Sequence, residues 1–261
     1  MAFAAGLYYE LHGSPDAPPL ILSSGLGGSA SYWKPNIPAL AEHFRVIAYD
    51  HRGTGRSDRA LPDVVTVDDF ADDMLSLMDG LGIAQAHLIG HAAGGVAGLA
   101  LALKAPERLD RLVLINSWIK ADPHFLRCFE ARLNLLRHSG VEAFLRAQPI
   151  FLYPAAWISA HSAELDSELA NQLADFPGAV TMEKRIAALA SFDASAWFGQ
   201  LATPLLALSA HDDMLVPWTC SLGLGKANPH VTQAPMPGGG HACNVTMPYA
   251  FNRLVLDFLR S

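Results

Sequence analysis

Hydrophobic and polar positions follow two alternating patterns along this chain. Short runs of mostly apolar residues, typical of buried strands, are separated by segments in which apolar residues recur every three or four positions, as on one face of a helix. The strand candidates are LYYEL, PLILSS, FRVIAYD, AHLIG, LDRLVLIN, TPLLALSA and VTQAPM. Strands that alternate with helices in this way predict βαβ units, and therefore an α/β fold with a mainly parallel sheet.

Two of the helical segments have well-defined apolar faces. Thr66 can cap the first of them, and the acidic residues that follow it favour the positive end of a helix. The apolar face of this segment is formed by Phe70, Met74, Leu77, Met78 and Leu81. The last segment of the chain repeats the pattern with Phe251, Leu254, Val255, Phe258 and Leu259. Both faces predict amphipathic helices that pack on the sheet.

One region interrupts the alternation. Residues 121–201 carry several amphipathic helix patterns, one of which ends at Gly140, and no convincing strand. They follow a predicted strand of a parallel sheet, and ligands bind such sheets at the carboxyl ends of the strands. We therefore predict a helical lid at 121–201, inserted into an α/β core formed by 1–120 and 202–261. The alternative is an insertion that only packs against the core.

Composition narrows the class of partner. The 261 residues carry a net charge of −7, which argues against a nucleic-acid groove or an anionic membrane surface and favours a small-molecule substrate. No basic leader segment and no apolar run of membrane-spanning length is visible, so we expect a cytoplasmic protein. The three cysteines have no metal-binding spacing, so we expect neither a disulfide framework nor a metal or other cofactor. A homodimer is the expected assembly.

The segment LIGHAAGGVAG has the outline of a catalytic turn. In the pattern G-x-S-x-G a nucleophilic serine stands between a strand and a helix, and the glycines allow the sharp bend. Gly90 and Gly94 occupy the glycine positions here, and Gly95 lets the helix approach the strand closely. Ala92 occupies the position of the serine. The turn is therefore present without a nucleophile.

Three further strand ends carry candidate chemistry. The glycine-rich turn in ILSSGLGGSASYW exposes backbone N–H groups that can bind a developing oxyanion. The segment SAHDDMLVP ends a strand with two aspartates, and GGGHACNVTMP places His241 in a glycine-rich loop before the last helix. The chain order of turn, aspartate and histidine matches that of α/β-hydrolase triads.

Together these segments, in this order and over essentially the whole chain, resemble the α/β-hydrolase family. The resemblance implies a mostly parallel, eight-stranded sheet flanked by helices, with a helical lid. The family's D-x-x-V-P register selects Asp213 over Asp212 as the partner of His241. The resemblance also implies that the backbone N–H groups of Leu26 and Ala93 form the oxyanion hole.

The chain departs from the wider family at Ala92, and at Ser24, where many hydrolases have histidine. A narrower resemblance accounts for the alanine. The segments SGLGGSASYW, YDHRGTG, GHAAGG, RCFEARLNLLRHSG, QPIFLYPA and GGHACNVT are similar to those of the RutD-type hydrolases of bacterial pyrimidine utilisation, described as carbamate and formerly as aminoacrylate hydrolases. That group carries alanine at the nucleophile position, which implies that Ala92 is natural here.

The narrower resemblance implies a hydrolase of a small, labile C–N compound of uracil degradation. A carbamate anion breaks down to ammonia and carbon dioxide once its nitrogen is protonated. Aminoacrylate forms malonic semialdehyde after protonation at carbon and addition of water. His241 is the expected general acid and base, oriented by Asp213. Neither reaction requires a serine nucleophile.

Two alternatives and the question of anion binding stay open. The chain is alternatively a serine carboxylesterase or amidase in which Ala92 has replaced the nucleophile, or a non-catalytic protein of this fold that only holds a ligand. A small anion needs a positive partner, and Arg127 and Arg132 in the lid are candidates, although we expect each of them on a solvated helix face. Cys243 is disfavoured as a substitute nucleophile because its position beyond the histidine points away from the oxyanion hole.

Overall fold

The computed structural model describes residues 2–261, and its strands form one eight-stranded sheet. The strands are β1 (Ala2–Ala4), β2 (Leu7–His12), β3 (Pro19–Ser23), β4 (Arg45–Tyr49), β5 (Ala86–His91), β6 (Leu109–Ile115), β7 (Leu205–Ala210) and β8 (Val231–Met236). Their order across the sheet is β1-β2-β4-β3-β5-β6-β7-β8. Strand β2 pairs antiparallel with β1 and β4, and every other neighbouring pair is parallel. The prediction of a mostly parallel, eight-stranded sheet is confirmed.

Helices connect the strands and flank the sheet. They are α1 (Ile37–Ala41), α2 (Val67–Gly80), α3 (Ala93–Lys104), α4 (Pro123–Leu152), α5 (Ala155–Ala160), α6 (Ser162–Ala174), α7 (Ala179–Ser191), α8 (Trp218–Ala227), α9 (Cys243–Thr246) and α10 (Pro248–Leu259). Among residues 2–261, no helix combines the length and the apolar character needed to cross a membrane.

Both faces of the central strands β3 to β7 are buried, which explains why their segments read as continuous apolar runs. Successive residues of a strand point to opposite faces. Ile21 of β3 therefore lies in the core beneath α2 and α3, whereas its neighbours Leu20 and Leu22 lie in the core beneath α1 and α10. The carboxyl ends of β3 and its neighbours carry the candidate site.

Helix α2 begins as its sequence predicts. The backbone N–H of Asp69 donates to Thr66 Oγ1 over 3.3 Å, and the backbone N–H of Thr66 donates to Asp69 Oδ2 over 2.7 Å, so the two residues form a reciprocal capping box. The helix ends at Gly80, and Leu81, the next residue, packs against the same core as the apolar face of α2. Phe251 and Val255 of α10 are fully buried, as its periodicity predicts.

The chain between β6 and β7 forms helices α4 to α7 and contributes no strand to the sheet among the described residues. Helix α4 is interrupted at Gly140, whose φ of 87° is outside the helical region. Arg185 of α7 contacts the turn after β3, because its Nε donates to the carbonyl oxygen of Leu26 over 3.2 Å. Leu152 of α4 contacts the loop after β8 by accepting from the N–H of Ala242 over 2.9 Å. The helices therefore cover the carboxyl edge of the sheet, while the bounds of a separate lid domain stay a prediction.

Candidate active site

The turn between β5 and α3 has the geometry of a nucleophile elbow. Ala92 has φ 46° and ψ −105°, a conformation that is rare for a residue with a Cβ atom, and α3 begins at the next residue. The glycines are needed because a Cβ atom at Gly94 would overlap the carbonyl group of Ser23, and one at Gly90 would overlap the backbone of Gly94. The chain can therefore bend this sharply only with glycine at these positions.

The structure brings His241 and Asp213 together. His241 Nδ1 donates to Asp213 Oδ2 over 2.8 Å, and the exposed fractions of the two side chains are 2% and 0%. The other carboxylate oxygen, Oδ1, accepts the backbone N–H groups of Leu215 and Val216 over 2.7 and 2.9 Å. The aspartate is therefore fixed by its own loop, and its remaining oxygen orients the imidazole. His241 Nε2 is the ring atom left for proton transfer.

Asp212 has a different task from its neighbour. Its carboxylate accepts the backbone N–H of Gly240 over 2.8 Å and that of Gly239 over 3.3 Å, in the loop that carries His241. One acid of the pair thus holds the histidine loop while the other holds the imidazole. This arrangement agrees with the assignment of Asp213 as the partner of His241.

The predicted oxyanion donors lie on two turns that are joined to each other. The N–H of Gly94 donates to the carbonyl oxygen of Ser24 over 3.0 Å, which ties the elbow to the turn after β3. The carbonyl oxygen of Gly25 accepts the Gly28 N–H over 3.0 Å. This bond holds the Gly25–Leu26 peptide group, which carries the Leu26 N–H. Within residues 2–261, the N–H groups of Leu26 and Ala93 donate to no other protein group. Both are therefore available to an anion.

His91 is a neighbour of the dyad that the sequence did not reveal. Its Nε2 donates to the carbonyl oxygen of His241 over 2.9 Å, and its ring lies 4.6 Å from the ring of His241 and stacks on Tyr32 at 4.9 Å. Burial lowers the pKa of His91 well below its ordinary value, and the nearby His241 lowers it further, so His91 is neutral. Asn116 Nδ2 donates to the same carbonyl over 2.7 Å. Two side chains thus fix the backbone of His241.

Arg185 is a second residue near the site that the sequence patterns did not indicate. It is completely buried, and besides Leu26 its guanidinium contacts His51, to whose Nδ1 it donates over 2.9 Å. His51 Nε2 can therefore donate to Ser23 Oγ, 3.1 Å away, in the strand end that precedes the oxyanion turn. Burial lowers the pKa of Arg185 to about 10. One arginine of the helical insertion thus holds the two loops that follow β3 and β4.

The two other arginines considered for the insertion differ from each other. Arg127 is exposed, as expected. Arg132 is only 3% exposed, so the expectation of a solvated helix face is wrong for this residue. Arg132 lies three residues after Phe129 and four before Leu136, so it shares their buried face of α4, and the kink at Gly140 brings the second half of α4 against it.

The structure offers no support for a cysteine nucleophile. Cys243 is fully buried, and this burial raises the pKa of its thiol to about 12, so the thiolate is scarce near neutral pH. Among the residues that the structure describes, no three histidine, cysteine or acidic side chains are grouped so that they could hold a metal ion. The titratable groups at the elbow are therefore His241, Asp213 and His91.

Comparison with known proteins agrees with the fold and shows the family of this chain. A family model described as alpha/beta hydrolase fold matches residues 18–246. A Caulobacter protein named "Putative carbamate hydrolase RutD" is 50% identical over 256 residues, which cover 97% of this chain and 96% of that protein. A protein of the same name from Agrobacterium fabrum is 48% identical over 255 residues, covering 97% and 98% of the two chains. The solved enol-lactonase from Burkholderia xenovorans shares 27% identity with a TM-score of 0.88, covering 100% of this chain and 99% of that chain.

Proposed function

Because this chain belongs to the α/β-hydrolase fold family and to its RutD group, we propose that it is a hydrolase of a small, labile C–N compound in pyrimidine degradation. The first candidate substrate is carbamate, and the second is aminoacrylate. The observation that carries the proposal is a buried His241–Asp213 pair, with Nδ1 and Oδ2 2.8 Å apart, kept beside an elbow that has Ala92 in place of a nucleophile. Such a site can transfer protons but cannot form an acyl-enzyme.

Carbamate breakdown needs only a proton and a bound anion. The Nε2–H of a protonated His241 donates its proton to the carbamate nitrogen. The C–N bond then breaks with its electron pair moving to nitrogen, and ammonia and carbon dioxide leave. The Leu26 and Ala93 N–H groups bind a carboxylate oxygen of the substrate. General acid catalysis of this kind is worth about 10² to 10⁴-fold, which suffices for a substrate that already decays in water.

The same groups can serve aminoacrylate. His241 protonates the carbon next to the carboxylate, which converts the enamine into an iminium ion. The neutral imidazole then removes a proton from water as its oxygen adds to the iminium carbon. Departure of ammonia from the resulting carbinolamine leaves malonic semialdehyde. In both reactions Asp213 keeps the imidazole in the orientation that presents Nε2 to the substrate.

The direct test is product formation followed in real time against the spontaneous rate. Ammonia and carbon dioxide are measured from carbamate, and malonic semialdehyde from aminoacrylate, with wild type and with His241→Ala. We expect one substrate to be turned over about 10² to 10⁴-fold faster than background by wild type, and at the background rate by His241→Ala. Wild-type rates equal to background for both substrates would contradict the proposal and favour a protein that only binds a ligand.

Replacing Ala92 by serine tests whether the elbow is still in catalytic alignment. If the dyad and the oxyanion hole are aligned, Ala92→Ser should hydrolyse small activated esters weakly, with a burst of leaving group as the acyl-enzyme accumulates. Wild type and Ala92→Ser/His241→Ala should show no burst. A variant that melts like wild type but stays inert towards these esters would mean that the dyad does not face position 92.

A further inference from the structure

Arg132 is a buried cation inside the helical insertion. Its Nη2 donates to Gln148 Oε1 over 3.3 Å, although the two residues lie sixteen positions apart in the same helix, α4. A straight helix would separate them by about 24 Å. The kink at Gly140 therefore folds the two halves of α4 against each other, and Arg132 lies between them with only 3% of its surface exposed.

The protein gives this cation no anionic partner. Among the described residues, no carboxylate lies within 4.0 Å of the Arg132 guanidinium, and its buried Nε has no hydrogen-bond acceptor. Its surroundings are the rings of Phe129, Phe144 and Phe151, with centroids 5.1, 5.0 and 5.5 Å from Cζ. Burial lowers the pKa of Arg132 to about 10, so it still carries its charge at neutral pH. Burying an unpaired charge costs free energy, and no carboxylate of the described residues offsets this cost at Arg132.

The two halves of α4 rest on the two loops that carry the dyad. Cys128 lies one turn before Arg132. Its Sγ is 3.5 Å from the carbonyl oxygen of Met214, the residue next to Asp213. Leu152, one turn after Gln148, accepts the N–H of Ala242, the residue next to His241. Arg132 and Gln148 therefore each lie about one helical turn, or about 5.4 Å along α4, from a residue that contacts a dyad loop.

The electrostatics of Cys128 support this placement. Burial raises the pKa of the Cys128 thiol, Arg132 lowers it and the charge of Asp213 raises it, so the thiol lies within reach of both charges. Arg132 therefore belongs to the part of α4 that contacts the dyad loops. A guanidinium with an unused Nε–H and an aromatic surround is well suited to bind a planar carboxylate.

We propose that Arg132 binds the anionic group of the substrate, a carboxylate or carbamate, and selects small monoanions over neutral amides. This inference rests on the proposed function for the identity of the reaction, but not for the binding of the anion. The aromatic rings of Phe129, Phe144 and Phe151 exclude water from the pair and strengthen it. The anion supplies the charge that the folded chain leaves unpaired.

The test uses an unreactive anion, so that binding is measured apart from turnover. Thermal unfolding of the full chain is followed with sodium propionate, with propionamide and with sodium chloride at matched ionic strength. Variants are Arg132→Met, the conservative Arg132→Lys, the exposed-arginine control Arg127→Met, and His241→Ala. We expect propionate alone to raise the Tm of wild type, Arg127→Met and His241→Ala by about 2 °C or more, to raise that of Arg132→Lys less, and to leave Arg132→Met unchanged.

Two further readouts separate an anion site from a structural arginine. Without ligand, Arg132→Met should melt at or above the wild-type Tm, because it removes a buried unpaired charge. With the reactive substrate it should raise KM about tenfold or more and change kcat little, as expected for lost binding that is equal in ground and transition states. Propionate stabilisation that is absent in wild type, or equal in Arg132→Met, would overturn the assignment. If propionate binds through Arg132 but no turnover exceeds background, the proposed reaction fails while the anion site stands.

Discussion

The tight packing of α3 against the strands leads to a quantitative prediction for Gly94→Ala and its control Gly98→Ala. An added Cβ at Gly94 would lie 2.5 Å from the backbone carbonyl carbon and 2.6 Å from the side-chain Oγ of Ser23, the last residue of β3. At Gly98 it would lie 2.7 Å from Leu88 Cδ2 and 2.9 Å from Leu112 Cδ1, which are the ends of flexible side chains. Both glycines are helical, so alanine propensity favours the two substitutions equally.

The atoms that the added Cβ would meet at Gly94 and at Gly98 determine how much free energy of unfolding each substitution costs. Carbon atoms pack at about 3.5 to 4.0 Å, so α3 must move about 1 Å away from β3 to accept alanine at position 94. Such overpacking costs about 3 kcal/mol when backbone atoms must move. Weakening the bond from the Gly94 N–H to Ser24 costs about 1 kcal/mol more, and the gain in helix propensity returns about 1 kcal/mol. We expect a net loss of about 3 kcal/mol for Gly94→Ala and a change within about 1 kcal/mol for Gly98→Ala.

Urea unfolding followed by circular dichroism measures both changes, with m compared to check that the unfolded states are alike. The same variants report on the site, because movement at Gly94 shifts the turn that carries the Leu26 N–H. Gly94→Ala should therefore lose most of its activity even where it is fully folded, and Gly98→Ala should retain it. An unchanged urea midpoint for Gly94→Ala, or a larger loss for Gly98→Ala, would refute the reasoning.

Three further predictions concern the dyad, the thiols and the buried histidines. Asp213→Asn should keep the fold but lower the rate above background by about 10² to 10⁴-fold in the product assay, because the amide can hold the wrong imidazole tautomer; an unchanged rate would remove Asp213 from the mechanism. Cys243 should resist iodoacetamide in the native protein and react after denaturation, since burial raises its pKa to about 12; rapid native labelling would contradict this. Burial lowers the pKa of His51 and His91 below the ordinary 6.5, so the unfolded chain binds more protons and stability should fall as the pH drops below 6.5. Urea midpoints measured across that range should decrease, and a flat or rising profile would argue against neutral buried histidines.

Local patterns predicted the central strands β3 to β7 well because burial on both of their faces leaves a direct trace in the sequence. All seven candidate strands are present, and α2 begins at the cap that Thr66 and Asp69 predict. Strand β1 was missed because it has only three residues and lies largely exposed at the sheet edge, where no apolar run marks it.

Some residues of the candidate site could also be predicted from the sequence, and others could not. Asp213 and His241 are recognisable because their loops carry short motifs in a fixed chain order. Arg185 is not, because it binds the Leu26 carbonyl from 159 residues away and nothing near it in sequence reveals that contact. The expectation of a solvated Arg132 is wrong because it followed the usual exposure of a charged side chain, and the packing of the second half of α4 against this residue leaves no mark in the local sequence. Such long-range contacts are decided by tertiary packing.

The elbow keeps its geometry without a nucleophile, and the reason lies in its peptide groups. A φ of 46° at Ala92 costs about 1 to 3 kcal/mol, and an alanine side chain gains nothing in return. The carbonyl of Ala92 accepts the Val96 N–H over 3.0 Å. The same peptide group carries the N–H of Ala93. The strained turn therefore fixes an N–H that donates to no protein group among the described residues. A hydroxyl at position 92 would serve attack on acyl substrates, whereas this N–H is free to donate to an anion whether or not a nucleophile is present. Under the proposed function, alanine at this position removes acyl-enzyme chemistry and leaves anion binding and proton transfer, the two functions that a labile carbamate or enamine requires.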